Sequence, residues 1–250
     1  MIGQLGAAIA FLTRLPVPSR IVFDTEEVGR SMRWFPLVGL LIGGFFAVGS
    51  RLFAAVFPPL VAGLLIVAIE ALLTGALHLD GLADTADGLA ARTREDALRI
   101  MRDHAVGSYG AVALILVVAL KAALIAALIE RSRAVAYLAL MPVLGRWSTV
   151  LLSATQPYAR RTEAEGAPAG GSVTDFVGRA ELAIASATAI PAAFILADWR
   201  GVTACAVVAV VSALWGRHCR RRIGGVTGDT LGTAVEVSEV LVLMAGVIEL

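Results

Sequence analysis

Long apolar runs recur along this chain, separated by short segments rich in proline, glycine and charge. A transmembrane helix needs about 20 mostly apolar residues. Seven runs approach that length: 36–57, 60–79, 108–129, 134–154, 180–197, 201–216 and 231–249. The sixth run is short for a span, and the seventh carries Glu236 and Glu239 near its start. The sequence therefore predicts an all-α, polytopic membrane bundle of six to seven transmembrane helices.

Composition agrees with this class. Hydrophobic residues make up 58 % of the chain and charged residues only 16 %, with a mean hydropathy of +0.82. A soluble domain of this length would break its apolar runs with charge at nearly every turn. We therefore expect a single domain, residues 1–250, embedded in a lipid bilayer. The net charge of +1 shows no basic footprint, so no nucleic-acid partner is expected.

Arginines gather in alternate loops, as they do on the cytoplasmic side of membrane proteins. The arginine-rich loops contain Arg14, Arg20, Arg30 and Arg33; Arg92, Arg94, Arg99 and Arg102; Arg160, Arg161 and Arg179; and Arg217, Arg220, Arg221 and Arg222. The opposite loops contain only Arg131, Arg133 and Arg200. We therefore expect a cytoplasmic N-terminus and, with seven crossings, an external C-terminus.

We expect the polar segments on the cytoplasmic side to differ in structure and function. Residues 1–35 form an N-terminal cytoplasmic or interfacial segment, in which 2–12 are apolar but too few to cross the bilayer. Residues 80–107 and 217–230 are expected to be loops that together form one active site. The segment 155–179 is rich in Gly, Pro, Ser and Thr and is expected to be a flexible loop.

Three carboxylates stand out in the segment from His78 to Arg92. Asp80, Asp84 and Asp87 are spaced four and three residues apart, which places them on one face of a helix. Acids crowded beside apolar spans repel one another unless cations neutralise them, and hard oxygen ligands suit Mg²⁺ or Mn²⁺. The alternative is a solvated helix end whose acids pair with nearby arginines.

Two further clusters carry polar chemistry. Arg102 and Asp103 directly precede the third span, where an arginine matches phosphate oxygens or, alternatively, anchors the span at the cytoplasmic surface. The neighbouring His104 is a general base or an interfacial polar residue. Downstream, the run GGVTGDTLG at 224–232 offers backbone N–H groups, hydroxyls and the Asp229 carboxylate at the start of a helix. Its simpler role is to cap the final span.

Ionisable residues also occur inside predicted spans. Arg146 lies in the fourth span and Glu70 in the second, and groups at such depth are usually buried in the bundle and functional. Lys121 is expected to extend its ammonium to the membrane surface instead. His78 either supports Asp80 or is an ordinary helix-end histidine, and the sequence leaves both open.

At these residues the chain resembles the integral-membrane cobalamin synthases, the adenosylcobinamide-GDP ribazoletransferases. The blocks that carry the similarity are FPLVGLLIG, TGALHLDGLADTADGL, MRDHAVGSYG, GRW and GGVTGDTLG, in that order. Ala76 departs from the glycine of the family pattern, which changes packing space and not chemistry. His104 occupies a variable position and receives no role from the resemblance.

The resemblance implies an enzyme of the bacterial cytoplasmic (inner) membrane whose active site faces the cytoplasm. Its substrates would be adenosylcobinamide-GDP and α-ribazole or the 5′-phosphate of α-ribazole. The ribazole hydroxyl would attack the pyrophosphate and release GMP, which is the nucleotide-loop assembly step of cobalamin biosynthesis. The reaction would use Mg²⁺, with Mn²⁺ as an alternative, and the assignment leaves room for a homo-oligomer.

Residue roles follow from combining the resemblance with the clusters above. Asp80, Asp84, Asp87 and Asp229 are expected to bind the metal. Asp84, Asp87 and Glu236 are the expected catalytic residues, one of which serves as the base. The expected substrate-binding residues are His78, Arg92, Arg102, Asp103, Arg146, Gly225, Thr227 and Gly228.

Two other functions remain as alternatives. Residues Asp84 to Arg92 reproduce the DxxDGxxAR half of the CDP-alcohol phosphotransferase signature of phospholipid synthesis, but the second half is absent because Met101 occupies its glycine position. A cation or corrinoid transporter would place acids along a pathway through the middle of the membrane. The acids in this chain cluster instead at the ends of predicted spans.

Overall fold

The computed structural model describes residues 2–16, 23–103, 105–160 and 172–248. Over these ranges the chain is helical, with one isolated bridge between Tyr158 and Val226. The ten α-helices are α1 (Ile2–Leu12), α2 (Thr25–Ser31), α3 (Phe35–Ala54), α4 (Pro59–Thr74), α5 (Leu77–Leu89), α6 (Arg94–Ile100), α7 (Ser108–Glu130), α8 (Ala134–Thr155), α9 (Arg179–Ile223) and α10 (Gly228–Val247). Short 3-10 turns at Met32–Trp34 and Val173–Phe176 precede α3 and α9.

The all-α membrane fold is confirmed. Within the described ranges, five helical segments are long and apolar enough to cross a bilayer: Thr25–Ala54, Ser108–Glu130, Ala134–Thr155, Arg179–Ile223 and Gly228–Val247. A sixth crossing is added if α4 and α5, which meet at a bend of 92°, form one broken span. The seventh predicted run, with its two glutamates, is indeed a continuous helix, α10.

The fifth and sixth predicted runs both lie in α9, which is interrupted at Ala197 and Asp198. Asp198 has φ 49° and ψ −142°, which is far from helical geometry. A side-chain carbon at Gly201 would collide with the carbonyl oxygen of Ala193, so the chain folds back on itself at this break. Residues 179–196 and 199–223 are therefore two helical arms joined by a tight turn, as the two separate runs predicted.

The second predicted run, 60–79, is wrong in its extent, because α4 ends at Thr74. Gly75 adopts φ +65° and Ala76 φ 57°, and two consecutive left-handed residues cannot continue a right-handed helix. The chain then turns into α5, which carries the aspartate block. The segments 80–107 and 217–230, expected to be loops, consist largely of α5, α6 and the end of α9. The apolar residues between the aspartates favour this helix, because Leu82 and Ala83 are buried.

The core of the bundle is organised around α8. This helix is buried along most of its length and packs against α3, α9 and α10. Its neighbour α10 also packs against α5 and α7, and α7 packs against α4. Because α10 contacts both the central helix and α5, it fixes the position of the aspartate block relative to the core.

The N-terminal segment folds over one end of this bundle. The expected short helix is confirmed as α1, which packs against α2 and the start of α3. Asp24 begins α2 with a capping box, in which its carboxylate accepts a hydrogen bond from the Glu27 N–H at 2.7 Å. Residues 161–171 of the expected loop 155–179 lie outside the described residues, as does His104.

Candidate active site

A cavity of about 260 Å³ lies where α1, α3, α5, α8 and α10 converge. We call its apolar lining residues the apolar wall and its polar lining residues the polar wall. The apolar wall contains Phe11, Leu12, Met32, Phe35, Leu77 and Leu231. The polar wall contains His78, Asp80, Thr149, Tyr158, Ser172, Thr174 and Asp229, and the remaining lining residues are Gly81, Val173, Gly228 and Gly232. Asp80 is exposed, so solvent reaches the carboxylates of this cavity.

Close contact between α5 and α10 brings the two carboxylates to one place. A side-chain carbon at Gly81 would come 2.8 Å from the carbonyl oxygen of Asp229, and one at Gly232 would come 3.2 Å from that of His78. The Thr233 hydroxyl also donates a hydrogen bond to the Gly81 carbonyl at 3.2 Å. Small residues permit this backbone approach, as is common between membrane helices. Gly81 therefore serves helix packing, which positions Asp80 beside Asp229.

Asp229 is held from two sides. Its Oδ2 accepts hydrogen bonds from Arg160 Nη2 at 3.1 Å and from the Thr227 hydroxyl at 3.2 Å. Arg160 Nε is buried and donates to none of the described residues, so the guanidinium retains a donor beside the cavity. The Asp80 carboxylate, by contrast, makes no hydrogen bond or ion pair with the part of the chain that the structure describes. The two acids of the cavity thus differ in how firmly they are fixed.

Asp84 and Asp87 do not line the cavity. Asp87 instead caps α7, because its two oxygens accept hydrogen bonds from the N–H groups of Gly107 at 2.7 Å and Gly110 at 2.9 Å. Asp84 is half-buried and already has an interaction partner. A rise of 1.5 Å per residue separates Asp80 from Asp87 by about 10 Å along α5. The common helix face was predicted correctly, but Asp87 uses both oxygens to cap α7 and does not line the cavity with Asp80.

The glycine-rich segment begins α10 and reaches the cavity only at its end. Thr227 is buried and caps the helix, since its hydroxyl accepts a hydrogen bond from the Thr230 N–H at 3.2 Å. Gly228 is exposed, lines the cavity and has open space where a side chain would be. Gly225 lies away from the cavity, and its missing side chain allows the backbone to pair with residues 157–159.

The predicted phosphate-binding residues near the third span lie elsewhere. Arg92, Arg102 and Asp103 are exposed, and none of them lines the cavity. Asp103 accepts a hydrogen bond from the Ala105 N–H at 3.1 Å, which forms a local turn. The structure therefore does not bring these three residues together with Asp80 and Asp229, whereas it does place His78 in the cavity wall.

Arg146 and Glu236 belong to a buried ionic cluster inside the bundle, which we define as Glu70, Lys121, Arg146, Glu236 and Glu239. The Lys121 ammonium lies 2.6 Å from Glu70, 3.1 Å from Glu236 and 2.5 Å from Glu239, and Arg146 pairs with Glu239. All five residues are at most 4 % exposed. The expectation that Lys121 extends to the surface is wrong, because three carboxylates hold it in the interior. Glu236 and Arg146 do not line the cavity.

The metal set expected from the four aspartates is not assembled as a group. No group of three or more His, Cys, Asp or Glu side chains that could hold a metal ion occurs among residues 2–16, 23–103, 105–160 and 172–248. Asp80 and Asp229 nevertheless fit Mg²⁺, which is usually bound through one or two carboxylates and completes its shell with water and substrate phosphates. Asp80 in particular has no competing cation among the described residues.

Several site residues were missed in the sequence. Arg160 was seen only as a loop arginine, and nothing in its neighbours indicates that it pairs with Asp229 across 69 positions. Phe11 and Phe35 were seen only as apolar residues of separate segments, although their rings stack with centroids 5.7 Å apart in the cavity wall. Both are tertiary relationships that no local pattern carries.

Comparison with known proteins identifies the relatives of this chain. The family model described as cobalamin-5-phosphate synthase matches residues 4–247. A protein of Syntrophobacter fumaroxidans named adenosylcobinamide-GDP ribazoletransferase is 38 % identical over 248 residues, covering 98 % of both chains. Proteins of the same name from Chlorobaculum parvum and Citrobacter koseri are each 42 % identical, covering 97 % and 96 % of this chain and 94 % and 97 % of their own. No solved structure matches the chain.

The match covers both blocks that supply the cavity carboxylates, Asp80 on α5 and Asp229 on α10. It also extends over every helix from α3 to α10, so it includes the fold that brings these blocks together. The chain belongs to the cobalamin-5-phosphate synthase family.

Proposed function

We propose that this protein is an adenosylcobinamide-GDP ribazoletransferase, which joins α-ribazole or its 5′-phosphate to adenosylcobinamide-GDP and releases GMP. The observation that carries the proposal is the meeting of Asp80 and Asp229 in one solvent-reached cavity at the start of α10. Each comes from a different block of the family pattern. Two acids, a guanidinium donor and a helix N-terminus suit a reaction at a pyrophosphate.

The reaction exchanges one phosphorus–oxygen bond for another. The ribazole hydroxyl oxygen attacks the phosphorus that is esterified to the cobinamide, and the bond from that phosphorus to the GMP oxygen breaks. The hydroxyl proton passes to a carboxylate, and GMP carries away the electron pair of the broken bond. Phosphoryl transfer of this kind depends mostly on positioning and on neutralising charge.

The residues of the cavity can divide this work. Asp80 and Asp229 would hold Mg²⁺, with Mn²⁺ as an alternative, and the metal would neutralise charge on the transferred phosphoryl group and on the leaving GMP. Arg160 would donate its unused N–H to a phosphate oxygen. The N–H groups of the first turn of α10 favour an anion at Gly228.

An Asp80 oxygen that does not hold the metal is better placed than Glu236 to accept the hydroxyl proton. Asp80 lines the cavity and has no ion pair within the described ranges, whereas Glu236 is paired with Lys121 at 3.1 Å in the interior. A general base must reach the proton that it removes, and geometry decides this before acidity does.

The proposal includes a place and an orientation. The enzyme would lie in the bacterial cytoplasmic membrane with its N-terminus inside and the cavity facing the cytoplasm. The support is the arginine bias of the loops, including Arg160 beside the cavity itself. Substrates that carry a nucleotide and a phosphate would then reach the cavity from the compartment in which nucleotides are made.

Turnover by the purified protein tests the chemistry. Protein in detergent or liposomes, given adenosylcobinamide-GDP, α-ribazole or its phosphate, and Mg²⁺, should form a corrinoid product and equimolar GMP. EDTA should stop the reaction and Mg²⁺ should restore it. Asp80→Asn and Asp229→Asn should lose at least a hundredfold in rate, whereas Asp96→Asn, an exposed acid of α6 that pairs with Arg99, should not.

Each alternative function has its own outcome in the same preparation. Release of CMP from a CDP-alcohol would identify a phospholipid enzyme. Movement of corrinoid or cation across the liposome membrane without GMP release would identify a transporter. Turnover that is insensitive to chelators would overturn the assignment of a metal to Asp80 and Asp229.

A further inference from the structure

We infer that the apolar wall of the cavity is the subsite for the aromatic base of the acceptor nucleoside, and that the corrinoid ring stays outside the cavity. The wall is formed by Phe11 and Leu12 of α1 and by Phe35 of α3. This inference rests on the proposed function. Beyond that function, we infer that the acceptor nucleoside is the substrate that enters the cavity and that Phe11, Leu12 and Phe35 select it.

Size separates the two substrates. The cavity of about 260 Å³ is slightly smaller than the range of about 300–1,000 Å³ that is typical of small-molecule sites. A nucleoside with a two-ring base is of this order. A corrinoid macrocycle with its side chains is several times larger, so only its pyrophosphate arm can reach the carboxylates.

The distribution of polarity within the cavity fits the same substrate. The lining combines the Asp80 and Asp229 carboxylates with the Phe11 and Phe35 rings, which stack at 5.7 Å with an interplanar angle of 20°. A nucleoside has the same mixed character, with a flat apolar base at one end and a reacting ribose at the other. Aromatic rings bind such a base by stacking or edge contact.

The two phenylalanines are not equivalent. Phe35 is 2 % exposed and is part of the core, whereas Phe11 is 45 % exposed even though it packs on Phe35. Phe11 therefore has ring surface left for a ligand. Thr149 and Tyr158, whose side chains carry hydroxyls that suit a ribose, also line the cavity.

The position of α1 supports a role in recognition. This helix is too short to cross the membrane, yet Ala7, Ala8 and Leu12 are buried against the bundle. Its last turn forms part of the cavity through Phe11 and Leu12. A lipid acyl chain would also fit an apolar wall, but it would leave Asp80 and Asp229 facing hydrocarbon, which is costly for charged groups.

The experiment compares Phe11→Ala with Phe45→Ala. Phe45 is a matched control, because it is 58 % exposed on α3 and does not line the cavity. Phe11→Ala should raise the KM for α-ribazole and for its 5′-phosphate about tenfold, which corresponds to about 1.4 kcal/mol. The KM of Phe11→Ala for adenosylcobinamide-GDP should stay within twofold of the wild-type value. For Phe45→Ala, the KM values for both substrates should stay within twofold of the wild type. Phe11→Leu, which keeps the apolar surface but lacks the ring, should be intermediate.

Binding of α-ribazole alone, measured by calorimetry on the wild-type protein and on Phe11→Ala, should show the same loss without turnover. The inference is overturned if Phe11→Ala raises the KM for the corrinoid substrate instead, or both KM values equally. It is also overturned if a folded Phe11→Leu variant is indistinguishable from the wild type, or if only lipid competes for the cavity. Failure of the wild-type protein to release GMP would overturn the proposed function, which is a separate result.

Discussion

Gly81 of α5 lies directly against the backbone of Asp229 of α10, so that any side-chain carbon at Gly81 would come 2.8 Å from the Asp229 carbonyl oxygen. This contact brings Asp80 and Asp229 into one cavity although 149 positions separate them in the chain. The glycine that follows Asp80 therefore determines whether the two acids can act together.

Gly81→Ala should push α5 away from α10 and lower both activity and stability. Overpacking of this kind costs about 1–3 kcal/mol, and displaced carboxylates should reduce turnover further. The measurement is the rate of GMP release together with thermal unfolding in detergent. Gly44→Ala is the control, because no atom lies within 4 Å of the position of its side chain and alanine favours a helix. Wild-type rate and stability in Gly81→Ala would show that this contact does not position the acids.

Asp80 and Asp87 should respond differently to the same substitution. Asp87→Asn weakens two hydrogen bonds that fix the start of α7, so its free energy of unfolding should fall by about 1–2 kcal/mol. Asp80→Asn removes no protein contact within the described ranges, so it should lose turnover while unfolding at the wild-type temperature. Thermal unfolding and GMP release separate these effects. If Asp87→Asn lost turnover while fully folded and Asp80→Asn retained it, the reacting centre would lie at the other end of α5.

The sequence predicted the features of the fold that depend on local pattern. Apolar runs of span length predicted the helices of the bundle, and the spacing of Asp80, Asp84 and Asp87 predicted that they share one helix face. The break after Thr74 was not predicted, because the apolar run continues through it and only the backbone angles of Gly75 and Ala76 interrupt the helix.

The partners of each charge could not be predicted, since they depend on packing between distant helices. Asp87 caps a helix that begins 21 residues later, and Glu236 faces Lys121 across 115 positions. In the sequence, Asp87 cannot be told from Asp80, because each is an aspartate followed by glycine in the same block. Nothing in the sequence around Glu236 indicates that it pairs with Lys121. Only the arrangement of α5, α7 and α10 separates the acids of the cavity from the acids that stabilise the bundle.

The buried ionic cluster should make the bundle sensitive to the loss of its single ammonium. Lys121→Met leaves Glu70, Glu236 and Glu239 without that cation, and breaking a buried pair in this way costs about 3–5 kcal/mol. Adding Glu236→Gln should recover part of the loss, because it removes one of the uncompensated carboxylates. Thermal unfolding of both variants is the measurement.

The matched control for the cluster is Arg30→Met, which breaks the exposed pair with Glu26 on α2. Both side chains of that pair are about half exposed, at 53 % and 49 %, and such pairs contribute about 0–1 kcal/mol. A loss in Lys121→Met no larger than in Arg30→Met would mean that the interior carboxylates do not depend on the lysine. They would then be protonated within the bundle.

Arg160 should act on the substrate that carries the pyrophosphate. Its Nη2 is bound to Asp229 at 3.1 Å, its Nε donates to none of the described residues, and its side chain is 18 % exposed, so the guanidinium has donor capacity for a phosphate oxygen. Arg160→Gln should therefore raise the KM for adenosylcobinamide-GDP by about 10-fold or more, the loss of a charged hydrogen bond being about 1.5–3 kcal/mol. Arg160→Lys keeps the charge but not the paired donors, so its KM for adenosylcobinamide-GDP should lie between those of the wild type and Arg160→Gln. Arg99→Gln, which removes an exposed arginine of α6, is the control. If Arg160→Gln raised the KM for α-ribazole and left that for the corrinoid unchanged, the guanidinium would serve the acceptor, and the pyrophosphate would have to be held at the first turn of α10 alone.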